Sequence, residues 1–167
     1  MEMGSLKDLF IDQLKDIYSA ETQVTKALPK MAKAASSTEL QNAFKMHLDQ
    51  TQNQIKRLEE IFSSLGKNPK GKKCKGMQGL LEEGEEMMQE DADPDVLDAG
   101  LIAAAQRVEH YEISAYGTVL SYARVLGDER AASLLDKTLQ EESETDEKLN
   151  QLAEGQINIR AHEKGGM

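Results

Sequence analysis

Phe10-Ile11-Asp12-Gln13-Leu14-Lys15-Asp16-Ile17-Tyr18-Ser19-Ala20-Glu21-Thr22-Gln23-Val24, continued through Leu28 and Met31, decides the fold. Phe10, Leu14, Ile17, Val24, Leu28 and Met31 recur at three- and four-residue steps, the spacing that keeps one face of an α-helix buried. Glu21 occupies the same stripe, where an aliphatic side chain is expected. A lone ionised carboxylate cannot remain there, so it must be paired, protonated or bound to a cation.

Outward from this segment, the chain is a series of helices separated by clear punctuation. The first runs from about Ser5, its N-cap, to Ala34, with Pro29 bending its last turns rather than ending it. Ser36 with Glu39 reads as a capping box opening a second helix. That helix has the seam Leu40, Phe44, His47, Thr51, Gln54, Leu58, Ile61 and Leu65, and Gly66 stops it. Lys67 to Lys75 is a basic, solvated turn of five lysines, with Cys74 near its exposed end. A short helix spans about Gly76 to Glu90, its apolar face formed by Met77, Leu80, Leu81, Met87 and Met88.

Asp93-Pro94 starts a third long helix ending at Leu126. Its stripe reads Leu101, Ala105, Val108, Glu112, Ala115, Val119, Tyr122 and Leu126. After Gly127, Asp128 caps a fourth, which runs to about Glu154 before Gly155 on the seam Ala131, Leu135, Thr138, Glu142, Thr145, Leu149 and Leu152. Residues 1–155 thus form a single helical domain, and 156–167 a polar tail expected to be disordered. Helices of about thirty residues span roughly 45 Å, which suits an all-α four-helix bundle. Tight first and last connections and one long crossover predict up-down-down-up order, with up-down-up-down as the alternative.

Composition restricts function. The 167 residues carry net charge −10, from 30 acidic and 20 basic side chains, which disfavours nucleic acid as a partner. No stretch has the length and apolarity of a membrane span. Cys74 is the only cysteine, so no intramolecular disulfide forms, and nothing beside it in sequence supplies a catalytic base. Met1 to Leu9 lacks the pattern of a secretory signal, which makes the cytoplasm the expected compartment.

Helix midpoints fall near Ala20, Thr51, His110 and Glu141. Polar seam residues cluster at those heights: Glu21, then His47 with Thr51 and Gln54, then Glu109 and Glu112, then Glu142 with Asp146 one turn on. A midpoint layer stays level whichever way each helix runs, so these groups are expected to meet. An oxygen-rich set with one imidazole suits iron or manganese better than copper, with zinc also compatible. The candidate metal ligands are Glu21, His47, Glu109, Glu112, Glu142 and Asp146.

The chain also resembles the YciE/YciF-type ferritin-like bacterial stress proteins from about Leu6 to Ala153. The resemblance rests on Ile17-Tyr18-Ser19-Ala20-Glu21, His47-Leu48 with Thr51 and Gln54, and Lys72-Lys73-Cys74 with Met77 and Gly79-Leu80. It is strongest in Leu101-Ile102-Ala103-Ala104-Ala105-Gln106-Arg107-Val108-Glu109-His110-Tyr111-Glu112 and Ala115-Tyr116-Gly117, and closes with Leu139, Glu141-Glu142, Asp146 and Leu149. It implies a ferritin-like bundle, a homodimer, a role in stress, and a di-metal carboxylate site, expected to hold two iron ions.

The wider ferritin-like pattern has Glu on the first helix, Glu-x-x-His on the second, acidic residues on the third and Glu-x-x-His on the fourth. Glu21, Glu109, Glu112 and Glu142 match it. The second helix departs, offering Thr51 and Gln54, or Asp49 and Gln52 in the other register. Thr145 stands where the last histidine would be, and His47 and Asp146 are the substitutes. Two functions follow as expectations: a di-iron carboxylate protein reacting with oxygen or peroxide, or a non-enzymatic structural or partner-binding stress protein with a structural metal.

Overall fold

The structure, a computed structural model, describes residues 2–165. It comprises α1 (Leu6–Ala34), α2 (Thr38–Leu65), α3 (Lys75–Gln89), α4 (Pro94–Val125), α5 (Glu129–Leu152) and α6 (Asn158–Gly165), with a π turn at Ala153–Ile157. Local chemistry sets most of the boundaries. Ser5 accepts the Asp8 N–H, Asp128 accepts the Ala131 N–H, and Pro94 lies in the first turn of α4 behind its Asp93 cap. Gly66 and Gly127 stop α2 and α4 at φ 64° and 73°, a left-handed conformation that glycine adopts without a Cβ clash. α1 continues through Pro29 to Ala34.

Cross-helix contacts settle the topology. Ser36, just after α1, meets Asp98 near the start of α4, whereas Asp16 early in α1 meets Tyr111 further along α4. These two helices therefore run antiparallel. So do α2 and α5, which pair Gln50 with Thr145, Arg57 with Glu141, and Glu60 with Arg130. With the α1–α2 and α4–α5 hairpins, the order is up-down-down-up, and the alternative order is excluded. The long crossover carries α3 across α1 and α4.

Two apolar cores fill the bundle. One contains Leu28, Met31, Leu40, Phe44, Leu101 and Leu149, and the other contains Phe10, Leu14, Leu58, Ile61, Val119 and Leu135. Each of these larger side chains contributes about 1.5–3 kcal/mol by leaving water. On every long helix, the residues separating the two cores are polar and buried: Glu21, then His47, Thr51 and Gln54, then Glu109 and Glu112, and Thr138 with Glu142.

The folded chain corrects four expectations. The α2 cap is Ser37, not Ser36, because both Asp98 carboxylate oxygens take backbone N–H groups at 2.8 Å, from Ser36 and Ser37. Ser37 Oγ then accepts from Leu40 N–H and donates to Glu39. Cys74 is buried rather than exposed: it caps α3, and its Sγ lies 3.0 Å from the Tyr111 hydroxyl and 3.3 Å from Asp16. Burial pushes its thiol pKa up, which suppresses the reactive thiolate.

The α4 core stripe runs from Glu112 through Tyr116, Val119 and Ala123, while Ala115 and Tyr122 are half-buried and Leu126 is exposed. A strict 3.6-residue period selects those positions over the ones expected. Finally, the expected disordered tail is helical through Gly165, and Gly155 is crossed by the π turn. Ile157 supplies the reason, since it joins the core beside Leu101 and Leu149. Residues 166–167 of that tail lie outside the described residues.

Asp98→Ala should lower the unfolding free energy by about 3 kcal/mol, since it strips two buried backbone donors of charged partners. Urea unfolding followed by circular dichroism measures this. A loss under about 1 kcal/mol would show that the α1–α2 turn does not depend on Asp98.

Candidate metal centre

Each long helix delivers its polar group by simple periodicity. Glu21 is one turn from Ile17 and Val24 on the α1 stripe, and His47, Thr51 and Gln54 continue the α2 seam from Phe44 to Leu58. On α4, Glu109 and Glu112 occupy adjacent core positions, and on α5 Glu142 follows Leu135 and Thr138. His47, Glu109, Glu112 and Glu142 each place a ligand atom within 4.8 Å of the others'. All four residues are at most 3 % exposed.

Glu21, equally buried, adjoins this group through Glu112 and is held by the Tyr116 hydroxyl, which donates to its Oε2 at 2.9 Å. Asp146 lies outside the group of four. It is 22 % exposed and meets the exposed His110 Nε2 at 3.1 Å, though its Oδ1 is buried and its charge acts on Glu109. The second α2 register is excluded, because Asp49 and Gln52 are exposed whereas Thr51 and Gln54 are buried. Thr51 spends its hydroxyl proton on the His47 carbonyl.

Electrostatics in the layer are extreme. Burial raises the Glu21 carboxyl pKa to about 8, with repulsion from Glu142 adding to the effect and the contacts with Glu112 and Tyr116 opposing it. Burial, then repulsion from Glu142, lifts Glu109 and Glu112 well above the carboxylate range. Burial works the same way on Glu142, but its contacts with Glu109, Glu112 and His47 outweigh it and hold its carboxyl low. Burial lowers His47 against the pull of Glu142, leaving a neutral imidazole with a lone pair to give.

The donor set fits a cation. Among the described residues, every buried side-chain nitrogen or oxygen lacking a hydrogen-bond partner belongs to Glu21, His47, Gln54, Glu109, Glu112, Glu142 or Asp146. His47 Nε2 and Glu109 Oε1 approach to 3.0 Å without hydrogen-bond alignment, as two donors facing a common point do. Oxygen ligands with one imidazole match a hard or borderline divalent metal.

A cleft of about 110 Å³ between α2 and α5 reaches His47, with exposed Met46, Glu144 and Lys148 on its walls. The hollow of about 300 Å³ beside Lys15, Gly71 and Lys72 contains none of the layer's residues.

Two groups around the layer were not legible as site residues. Tyr116 stood off the expected α4 stripe, although seven-residue steps from Glu109 lead to it. Arg57, which grips Glu141 from α2, lies off the α2 seam, and no local pattern marks it.

Fold and site together define a ferritin-like four-helix bundle whose interior is divided by a carboxylate-rich layer able to hold metal. The chain belongs to the family described as Domain of unknown function (DUF892), whose pattern matches residues 5–162. It is 46% identical over 165 residues to Protein YciF of Escherichia coli (strain K12), covering 98% of this chain and 99% of that protein.

The crystal structure of the E. coli stress protein YciF superposes with a TM-score of 0.90, covering 93% of this chain and 99% of that one. YcfI from Rhodopseudomonas palustris follows at 44% identity and TM-score 0.86, covering 89% and 95% of the two chains. A Xanthomonas campestris protein, 20% identical with TM-score 0.75 over 98% of this chain and 100% of its own, shares the fold.

Without bound cations, the pH dependence of stability has a definite sign. Folded Glu21, Glu109 and Glu112 titrate above their ordinary value of 4.5, Glu21 near 8. Their contribution is complete below the ordinary value and is lost as pH rises through the folded values, because the folded state holds the protons more tightly. Metal-free protein should therefore melt at lower temperature at about pH 9 than at about pH 6, and a saturating divalent cation should remove most of the difference. Thermal unfolding followed at the helical circular-dichroism band tests this; a flat profile without metal would refute it.

Proposed function

We propose that this chain is a di-metal carboxylate protein of the bacterial stress response, binding two divalent cations, iron by preference, for chemistry with oxygen or peroxide. The observation that carries this reading is that, among the described residues, all partnerless buried side-chain donors and acceptors lie in one layer or at its edge. Glu21, Glu109, Glu112 and Glu142 bring four negative charges when fully ionised, and two divalent cations balance them, with His47 and Gln54 neutral. Manganese satisfies the same donors, and zinc tolerates them.

The chain's own residues would do the holding and shielding. Glu21, His47, Glu109, Glu112 and Glu142 bind, Tyr116 orients Glu21, Asp146 stands at the edge, and the two apolar cores exclude water on either side. Bound iron would supply the electrons for reducing oxygen or peroxide.

The reading includes a cytoplasmic homodimer that binds neither nucleic acid nor membrane. The net charge of −10 agrees with the former, and no helix among the described residues is long and apolar enough to cross a bilayer. Light scattering should give twice the chain mass; a monomer would remove the dimer from the proposal.

A second reading, a non-enzymatic structural protein with a structural metal, draws on the structural role suggested for YcfI and on the layer's single imidazole. Elemental analysis of untagged protein separates the two. Two irons per chain, with a visible spectrum that changes under peroxide, favour the first reading; near-stoichiometric zinc without turnover favours the second. Glu21→Ala should lower metal content at least several-fold, because it deletes the α1 ligand. Unchanged occupancy in that variant would remove Glu21 from the site.

A further inference from the structure

Gln54 is buried at 0 % exposure in the carboxylate layer, and its two amide ends have different fates. Its Nε2 donates to Glu141 Oε1 at 3.3 Å, while its Oε1 is buried without a partner. Which end points where is decided by chemistry. Arg57 clasps both oxygens of Glu141, at 2.6 and 3.0 Å, and its Nη1 also donates to Thr138 at 3.0 Å. A carboxylate held this way on both oxygens can only accept, so the amide nitrogen must face it, and the carbonyl oxygen cannot.

The clasp joins α2 to α5 beside the layer. The amide is therefore locked, with its oxygen left without any protein donor.

We infer that Gln54 is a metal ligand through Oε1, and that Arg57 and Glu141 are positioning residues that fix the direction of its amide. The assignment rests on the di-metal reading above and adds a neutral oxygen donor to it. A glutamine carbonyl is an ordinary ligand for hard divalent cations. Being uncharged, it raises the coordination number without upsetting the match between four carboxylates and two divalent ions. It also accounts for the position where the wider ferritin-like pattern would put histidine on the second helix: the donor is retained and its chemistry is changed from nitrogen to oxygen.

The test is cobalt(II) titration of the full chain, read by visible absorption and by calorimetry. Cobalt reports coordination number directly, since lower-coordinate cobalt absorbs more strongly. Gln54→Leu should weaken binding about ten-fold and intensify the visible bands, because one oxygen donor is gone. Gln54→Glu, which keeps an oxygen at the same reach, should return the bands towards the wild-type intensity. Glu141→Leu leaves Gln54 in place but frees its amide to turn, and should shift the spectrum in the same direction as Gln54→Leu by a smaller amount.

If Gln54 merely packs, Gln54→Leu will move the melting temperature and leave the cobalt spectrum unchanged, which overturns the ligand assignment while leaving the metal centre standing. A Gln54→Glu spectrum matching that of Gln54→Leu overturns it as well. Wild-type protein that takes up no cobalt overturns the metal centre itself, and the assignment falls with it.

Discussion

Four glutamates share one buried layer of this bundle, and their mutual repulsion in a low-dielectric interior is the constraint around which the rest is arranged. Nothing in the neighbourhood neutralises them by ordinary pairing. The imidazole among them is neutral, and the Arg57 guanidinium is committed to Glu141 rather than to the layer. Only two states are tolerable, one holding protons and one holding cations. The raised carboxyls of Glu21, Glu109 and Glu112 describe the first, and the partnerless oxygens describe readiness for the second. Keeping such a layer costs stability that an aliphatic layer would have contributed, which is why it argues for use rather than for structure.

The scaffold meets this cost by anchoring the layer from both sides. Apolar side chains close over it in two cores, each drawing on all four long helices. Polar staples hold the helices in register: Asp98 ties the α1–α2 turn to α4, Tyr116 ties α4 to Glu21, and Arg57 with Glu141 ties α2 to α5. The buried Cys74 hydrogen-bonds to Tyr111 and Asp16, pinning the start of α3 against α1 and α4. Rigid helices joined at several heights can hold ligands at fixed separation without backbone strain, and no non-glycine residue among those described has positive φ.

Much of this was legible because helical periodicity is local. Glu21 announced itself by interrupting an apolar stripe, and His47, Glu109, Glu112 and Glu142 sat at core positions of their own helices at matching depth. Asp146 failed that criterion by geometry: one turn beyond Glu142, it turns towards the α4–α5 edge and meets His110. Periodicity in the acidic run of α5 is blurred, since adjacent carboxylates satisfy more than one phase. The chain end departs from its expected disorder for a related reason. Its polar composition hid Ile157, one apolar residue whose burial beside Leu101 and Leu149 is enough to carry helix past Gly155.

Sequence alone determined the helices, most of their caps and stops, the bundle class, and which residue on each helix belongs to the central layer, because each depends on neighbours within a few positions along the chain. Tertiary structure decided the rest. It settled which helices run antiparallel across the bundle, the choice of Ser37 over Ser36 as a cap, the burial of Cys74, the Tyr116–Glu21 bond and the direction of the Gln54 amide. Each of those depends on a partner tens of residues away, and no local pattern encodes the distance between two side chains that meet only after folding.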